Sequence, residues 1–189
     1  LDTLDPQRFE TIARRRRLDD VLDGLTAAAA AGLTPVKINA VLMRGVNGDE
    51  APRLLRWALG AGYEMRFIEQ MPLDAQHAWD RDQMVTADEI LTTLRYEFDL
   101  TPVGADERGS APAETWLVDG GPAKVGVIGS VTRPFCGACD RTRLTADGQV
   151  RNCLFAREES DLRSPLRDGA SDHDLVTLIR ASLAAKKAG

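Results

Sequence analysis

All three cysteines of the chain fall in one short stretch, Cys136, Cys139 and Cys153, spaced C-x2-C-x13-C. Three thiolates can hold a metal centre and leave one coordination position open for a substrate. Arg141 and Arg143 follow the second cysteine, and Arg133 and Arg151 flank the stretch. Between residues 133 and 151 four arginines therefore stand against only Asp140 and Asp147. Guanidinium forks beside a metal centre suit a compact anion, phosphate above all.

Spacing alone leaves the nature of the centre open. Zinc would call for a fourth ligand from His77, His173 or a carboxylate such as Asp140; an iron–sulfur cluster would not; three buried structural thiols would bind nothing. Arg141 and Arg143 are two residues apart, the spacing of one strand face, and are either an anion-binding pair or a solvated surface pair. Lys37 and Arg66 fall on the polar faces of two predicted strands. A cation there needs either an anionic ligand or a carboxylate such as Glu64 or Glu69. Met71 reads as packing. G-x-S-x-G, H-E-x-x-H, Walker and G-x-G-x-x-G patterns are absent, and two histidines offer little acid–base material.

The elements that must carry these residues follow from periodicity. Leu18, Val21, Leu22, Leu25 and Ala29 recur at helical spacing, with Gly32 placed to end that helix. A strand is expected from Pro35 to Leu42, with Val36, Ile38, Ala40 and Leu42 on one face and Lys37 and Asn39 on the other. A helix over 49–61 and a strand from Tyr63 to Gln70 continue the rhythm, which implies parallel strands with crossover helices. A third helix opens on the capping-box pattern Thr86-Ala87-Asp88-Glu89 and buries Ile90, Leu91, Leu94 and Phe98. After Asp99 come a polar stretch and a hairpin, Thr115–Val118 and Lys124–Ile128, turned by Asp119-Gly120-Gly121-Pro122. The cysteine loop, a turn at Asp147-Gly148, a strand holding Cys153 and two short helices complete the chain, the last helix opening at Ser171. The run Arg14 to Arg17 lies near a helix end.

With 189 residues, 43% hydrophobic and 28% charged, the composition is that of a soluble globular protein. A net charge of -5 argues against a nucleic-acid partner. No apolar run is long enough to span a membrane, and Leu1-Asp2-Thr3-Leu4-Asp5 is unlike a signal peptide, so the expected location is cytoplasmic. The lack of an initiator methionine suggests a piece of a longer chain. Two strands are too few for a closed sheet. The expected fold is α/β: over 1–98 the C-terminal part of an incomplete (β/α) TIM-like barrel, and over 99–189 a small α+β cluster domain. An uncovered apolar sheet edge would favour association.

Phe135-Cys136-x-x-Cys139-x-Arg141-x-Arg143-Leu144-Thr145, then Gly148 and Cys153-Leu154-Phe155, resembles the C-terminal cluster motif of the MoaA family. These are radical S-adenosylmethionine enzymes, GTP 3′,8-cyclases of molybdenum cofactor biosynthesis. Leu1–Asp5, Val36–Val41, Arg66-Phe67-Ile68-Glu69-x-Met71-Pro72 and Lys186-Lys187-Ala188-Gly189 extend the resemblance over essentially the whole chain. It implies that Cys136, Cys139 and Cys153 hold a [4Fe-4S] cluster whose open iron takes the guanine of GTP. It likewise implies that Lys37, Arg66, Arg141, Thr142 and Arg143 bind GTP, and that Met71 contacts S-adenosylmethionine. In such enzymes a 5′-deoxyadenosyl radical removes the ribose 3′-hydrogen, and the resulting carbon radical attacks C8 of guanine to give 3′,8-cyclo-7,8-dihydro-GTP. The resemblance also suggests a homodimer and a downstream cyclic pyranopterin monophosphate synthase. The family's radical-initiating C-x3-C-x2-C has no counterpart here, so the expectation is a fragment or degenerate relative that binds GTP and the auxiliary cluster but is inactive alone.

Overall fold

The computed structural model describes residues 1–73 and 79–186. It divides into two compact units, 1–135 and 136–189.

The first unit is a mixed α/β layer. Helices α1 (Pro6–Ala13) and α2 (Leu18–Ala30) precede strand β1 (Lys37–Leu42); α3 (Ala51–Gly60) leads to β2 (Glu64–Glu69), and α4 (Ala87–Arg95) to the short β3 (Leu100–Pro102). A four-residue helix, α5 (Ala105–Arg108), then leads to β4 (Glu114–Val118) and β5 (Lys124–Ile128). The sheet order is β1-β2-β5-β4-β3. The first two pairings are parallel and the last two antiparallel. The expected hairpin is present, and it continues the sheet: β5 runs parallel to β2, with Arg66 opposite Gly126. The parallel part thus has three strands where periodicity suggests two.

Strand alternation sorts the residues as the sequence implies. Ile38, Ala40, Leu42, Met65, Phe67, Val125 and Val127 are buried under Leu54, Leu55 and Ala58 of α3 and Ile90, Leu91 and Leu94 of α4. Burying a Leu- or Phe-sized side chain contributes roughly 1.5–3 kcal/mol before conformational entropy is charged, so this face dominates the unit's stability. The opposite face keeps Lys37 and Asn39 exposed and Arg66 half-buried. Gly32, at φ 78°, follows α2 where the sequence placed the helix end. Arg14–Arg17 is the α1–α2 link, with Arg16 paired to Glu10 and Arg17 to Asp20.

The edge of β1 is partly occupied. Leu1 N donates to Asn39 O at 2.9 Å, and Val41 N donates to Asp2 Oδ1 at 2.8 Å. Thr3, fully buried, donates to Glu50 Oε1 at 2.5 Å, while Arg8 closes on Glu50 and Asp49. The N-terminal residues are therefore stitched to the strand edge expected to lie open.

The second unit is a three-stranded antiparallel sheet, β6 (Arg143–Leu144), β7 (Gln149–Arg151) and β8 (Ser160–Asp161), followed by α6 (Arg163–Arg167) and α7 (Asp172–Ala184). Gly148, at φ 82°, turns β6 into β7 with its Cα against Arg163, where an added Cβ would come within 2.6 Å of that side chain. Both the left-handed backbone and the close approach demand glycine. The expected Ser171 start of the last helix is a complete capping box with Asp174. Cys153 lies beyond β7, in the turn that follows, and not within a strand.

Candidate functional site

Two groups of polar residues emerge, one in each unit. In the second unit Cys136 opens a single 3-10 turn, Cys136–Ala138, and Cys139 N donates back to Cys136 O at 3.2 Å. The C-x2-C spacing makes this turn, because only a tight turn brings residues three apart to the same side. All three cysteines are free thiols, Cys136 exposed and the other two half-buried. Cys139 Sγ receives two cationic donors, Arg141 Nε at 3.3 Å and Lys186 Nζ at 3.4 Å. Lys186 also donates to Arg141 O at 2.9 Å, fixing the backbone of the arginine that meets the sulfur. Hydrogen bonding from Arg141, with Lys186 adding to it, pulls the Cys139 thiol down to about 7 despite its partial burial. Cys153 Sγ accepts from Phe155 N at 3.4 Å.

These thiols fit an iron–sulfur cluster in kind and number: unbridged, in loops, with N–H donors directed at two of the sulfurs. Among the described residues no three Cys, His, Asp or Glu side chains are gathered closely enough to hold a metal ion. His173 sits exposed in the first turn of α7, and His77 lies outside the described residues. Cys153 borders a cavity of about 550 Å³ with Asn152, Phe155, Arg157 and Ser182.

The arginine pair differs from the expected strand face. Arg143 is in β6, but Arg141 and Thr142 belong to the loop before it, so strand alternation does not align the two arginines. Arg141 turns to the Cys139 sulfur, and Arg143 stands opposite Arg151 in the β6–β7 register. Arg151 is itself paired with Glu159.

In the first unit Lys37 and Arg66 share one cleft of about 200 Å³, on the face of the sheet opposite α3 and α4 and walled in part by Glu107 and Arg108 of α5. Lys37 Nζ is 3.6 Å from Glu64, the structural pairing the sequence allowed. Arg66 has no such pairing with Glu69. That carboxylate points to the other face, fully buried, and accepts from Ala87 N, Val131 N, Thr132 N and Thr132 Oγ1. Sequence reading treated Glu69 only as a counter-ion; alternation along β2 puts it on the face of Met65 and Phe67, which was the available signal. Gly126 lies beside Arg66, where a Cβ would come within 3.1 Å of Arg66 Cγ. The missing side chain leaves room beside β5 for the stem of Arg66 and for Ala113. Met71, half-buried just past β2, is not among the residues lining this cleft.

No helix among the described residues is long and apolar enough to cross a membrane. Residues 63–189 match the family model described as Molybdenum Cofactor Synthesis C. The whole chain is 66% identical over 189 residues to a GTP 3′,8-cyclase of Streptomyces coelicolor, covering 55% of that protein. It is 59% identical over 189 residues to one from Mycobacterium sp. (strain KMS), covering 54% of it. Over 193 aligned residues it is 56% identical to one from Mycolicibacterium smegmatis, covering 53%. The chain thus spans about half the length of the curated relatives it matches. With the family model matching two thirds of its residues and such identity running through all of them, the chain belongs to the molybdenum cofactor synthesis C family.

Proposed function

We propose that this chain is the substrate-binding and auxiliary-cluster part of a GTP 3′,8-cyclase, which converts GTP to 3′,8-cyclo-7,8-dihydro-GTP in molybdenum cofactor synthesis. The observation that carries the reading is 66% identity, unbroken over the full 189 residues, to a protein of that name. The geometry supports it at both groups of residues. Three adjacent parallel strands with helices on one face and cations on the other are what one wall of an α/β barrel contributes. Cys136, Cys139 and Cys153 would hold a [4Fe-4S] cluster. When bound, that cluster supplies an iron without a protein ligand, a Lewis-acidic position for the guanine of GTP.

The chain's own residues do the holding. Lys37 and Arg66 would supply charge to the phosphates, and Arg141, Thr142 and Arg143, just past the second cysteine, would be the GTP-contacting segment. Arg141 also donates to Cys139, so one residue couples substrate to cluster ligand. Met71 contacts S-adenosylmethionine in this reading. Rigid fixation is the catalytic contribution such a protein makes, since a radical at the ribose must meet C8 of the same molecule and nothing else. The homodimer, the downstream cyclic pyranopterin monophosphate synthase and the cytoplasmic setting belong to the same proposal.

Anaerobic reconstitution of the chain with iron and sulfide tests it. About four irons per chain and a change in the cluster's electron paramagnetic resonance on adding GTP are expected. Retention of zinc alone, or a cluster indifferent to GTP, would overturn the reading.

A further inference from the structure

The cleft around Lys37 and Arg66 contains a cation that neither strand periodicity nor the family motifs single out. In the parallel register Lys37 stands opposite Glu64, and Arg66 opposite both Asn39 and Gly126. Met65 pairs with Val125, so one residue earlier the same register puts Glu64 beside Lys124, the first residue of β5. Lys37, Glu64 and Lys124 therefore form a row across three neighbouring strands, on the face opposite α3 and α4, where α5 brings Glu107 and Arg108. Lys124 occupies on one side of β2 the place that Lys37 occupies on the other. Strand spacing sets the two lysine Cα atoms about 10 Å apart, with Arg66 one pleat further along the strand between them.

The charges of this row are only loosely matched. Glu64 lies 3.6 Å from Lys37 Nζ and Glu107 lies 4.0 Å from Lys124 Nζ, both beyond hydrogen-bond length. No carboxylate among the described residues pairs with Arg66. The fourth cation of the cleft, Arg108, is committed to its own loop, donating to Ala111 O at 2.8 Å and Pro112 O at 3.2 Å, with Glu114 at 3.8 Å. Four cations against Glu64 and Glu107 still leave the lining positive, within a chain of net charge -5. Such a lining concentrates anions at one place on an otherwise acidic protein.

We infer that Lys124 is a further phosphate-binding residue, closing around a polyphosphate from the side of β2 opposite Lys37. This rests on the reading of the cleft as the seat of the GTP phosphates. The Lys124 side chain is 43% exposed and carries its ammonium on a flexible four-carbon stem from the start of β5, free to leave Glu107 for a better anion; Arg108 contributes charge but holds the wall.

Calorimetric titration of the whole chain with GTP, inorganic triphosphate and guanosine tests it, using the parent, Lys124→Ala, Lys124→Arg and Lys37→Ala. Lys124→Ala should weaken GTP and triphosphate by about tenfold and flatten the salt dependence of their binding. Guanosine should be unaffected and Lys124→Arg should recover most of the loss. If Lys124→Ala binds triphosphate like the parent while Lys37→Ala is weakened, the assignment of Lys124 is wrong and the reading of the cleft stands. If the parent binds no triphosphate and Lys37→Ala changes nothing for GTP, both fall.

Discussion

Cys139 is the residue whose chemistry the structure specifies most closely. Arg141 and Lys186 both donate to its sulfur, and that thiol is held at about 7 chiefly by the Arg141 hydrogen bond. The charged form is favoured, so Cys139 becomes a thiolate as pH rises through about 7, before an ordinary thiol would. In the metal-free chain, alkylation of Cys139 followed by peptide mass spectrometry should show its midpoint near that pH. Arg141→Ala should move the midpoint upward and slow alkylation at neutral pH; an unchanged profile would refute the role of Arg141. Cysteine spacing made the three thiols readable from sequence as candidate ligands. The donors were only half readable: Arg141 is near in sequence, whereas Lys186 comes from 47 residues away and reaches the sulfur only through the fold.

At the scale of elements, local signals served well where the structure is local. The Thr86-x-x-Glu89 pattern is a complete capping box, and Arg44 extends it by an ion pair to Glu89 at 2.7 Å. Thr86→Ala should cost about 1 kcal/mol in urea unfolding. The Arg44 hydrogen bond, with the N-cap amide, holds the Glu89 carboxyl below the usual carboxylate range. Because the folded value lies below the unfolded one, the contribution is complete above the ordinary carboxylate pKa and fades as pH falls through the lowered one. The Thr86→Ala penalty should accordingly shrink in strongly acidic buffer, measured by the same unfolding series. Glu69 ties the end of β2 to the start of α4 and to Val131 and Thr132, a junction of segments more than sixty residues apart that no local pattern announces. The same limit explains Cys153 and Arg141: two- and three-residue strands are set by tertiary pairing more than by propensity, so a strand through either residue was a reasonable expectation and an incorrect one.

Across the whole molecule, no three ligating side chains among the described residues are gathered to hold a metal ion, so under the proposed function cluster binding should draw the three cysteine segments together and stabilise the second unit. Reconstitution should raise the melting temperature by about 4 °C or more, and Cys136→Ser or Cys153→Ser should remove that gain while leaving the cluster-free melt nearly unchanged. Differential scanning fluorimetry under anaerobic conditions measures both. The sequence by itself determined the apolar faces of β1 and β2, the caps of the helices at Thr86 and Ser171, and the identity of the three thiols, because periodicity, capping and ligand spacing are properties of neighbouring residues. Only the tertiary structure decided that β5 joins β2 in parallel, that Lys124 thereby stands in row with Lys37, that Glu69 is buried, and that Lys186 meets Cys139. Those depend on which distant segments pair, and pairing is chosen by the burial of a common face, a quantity no single stretch of sequence contains.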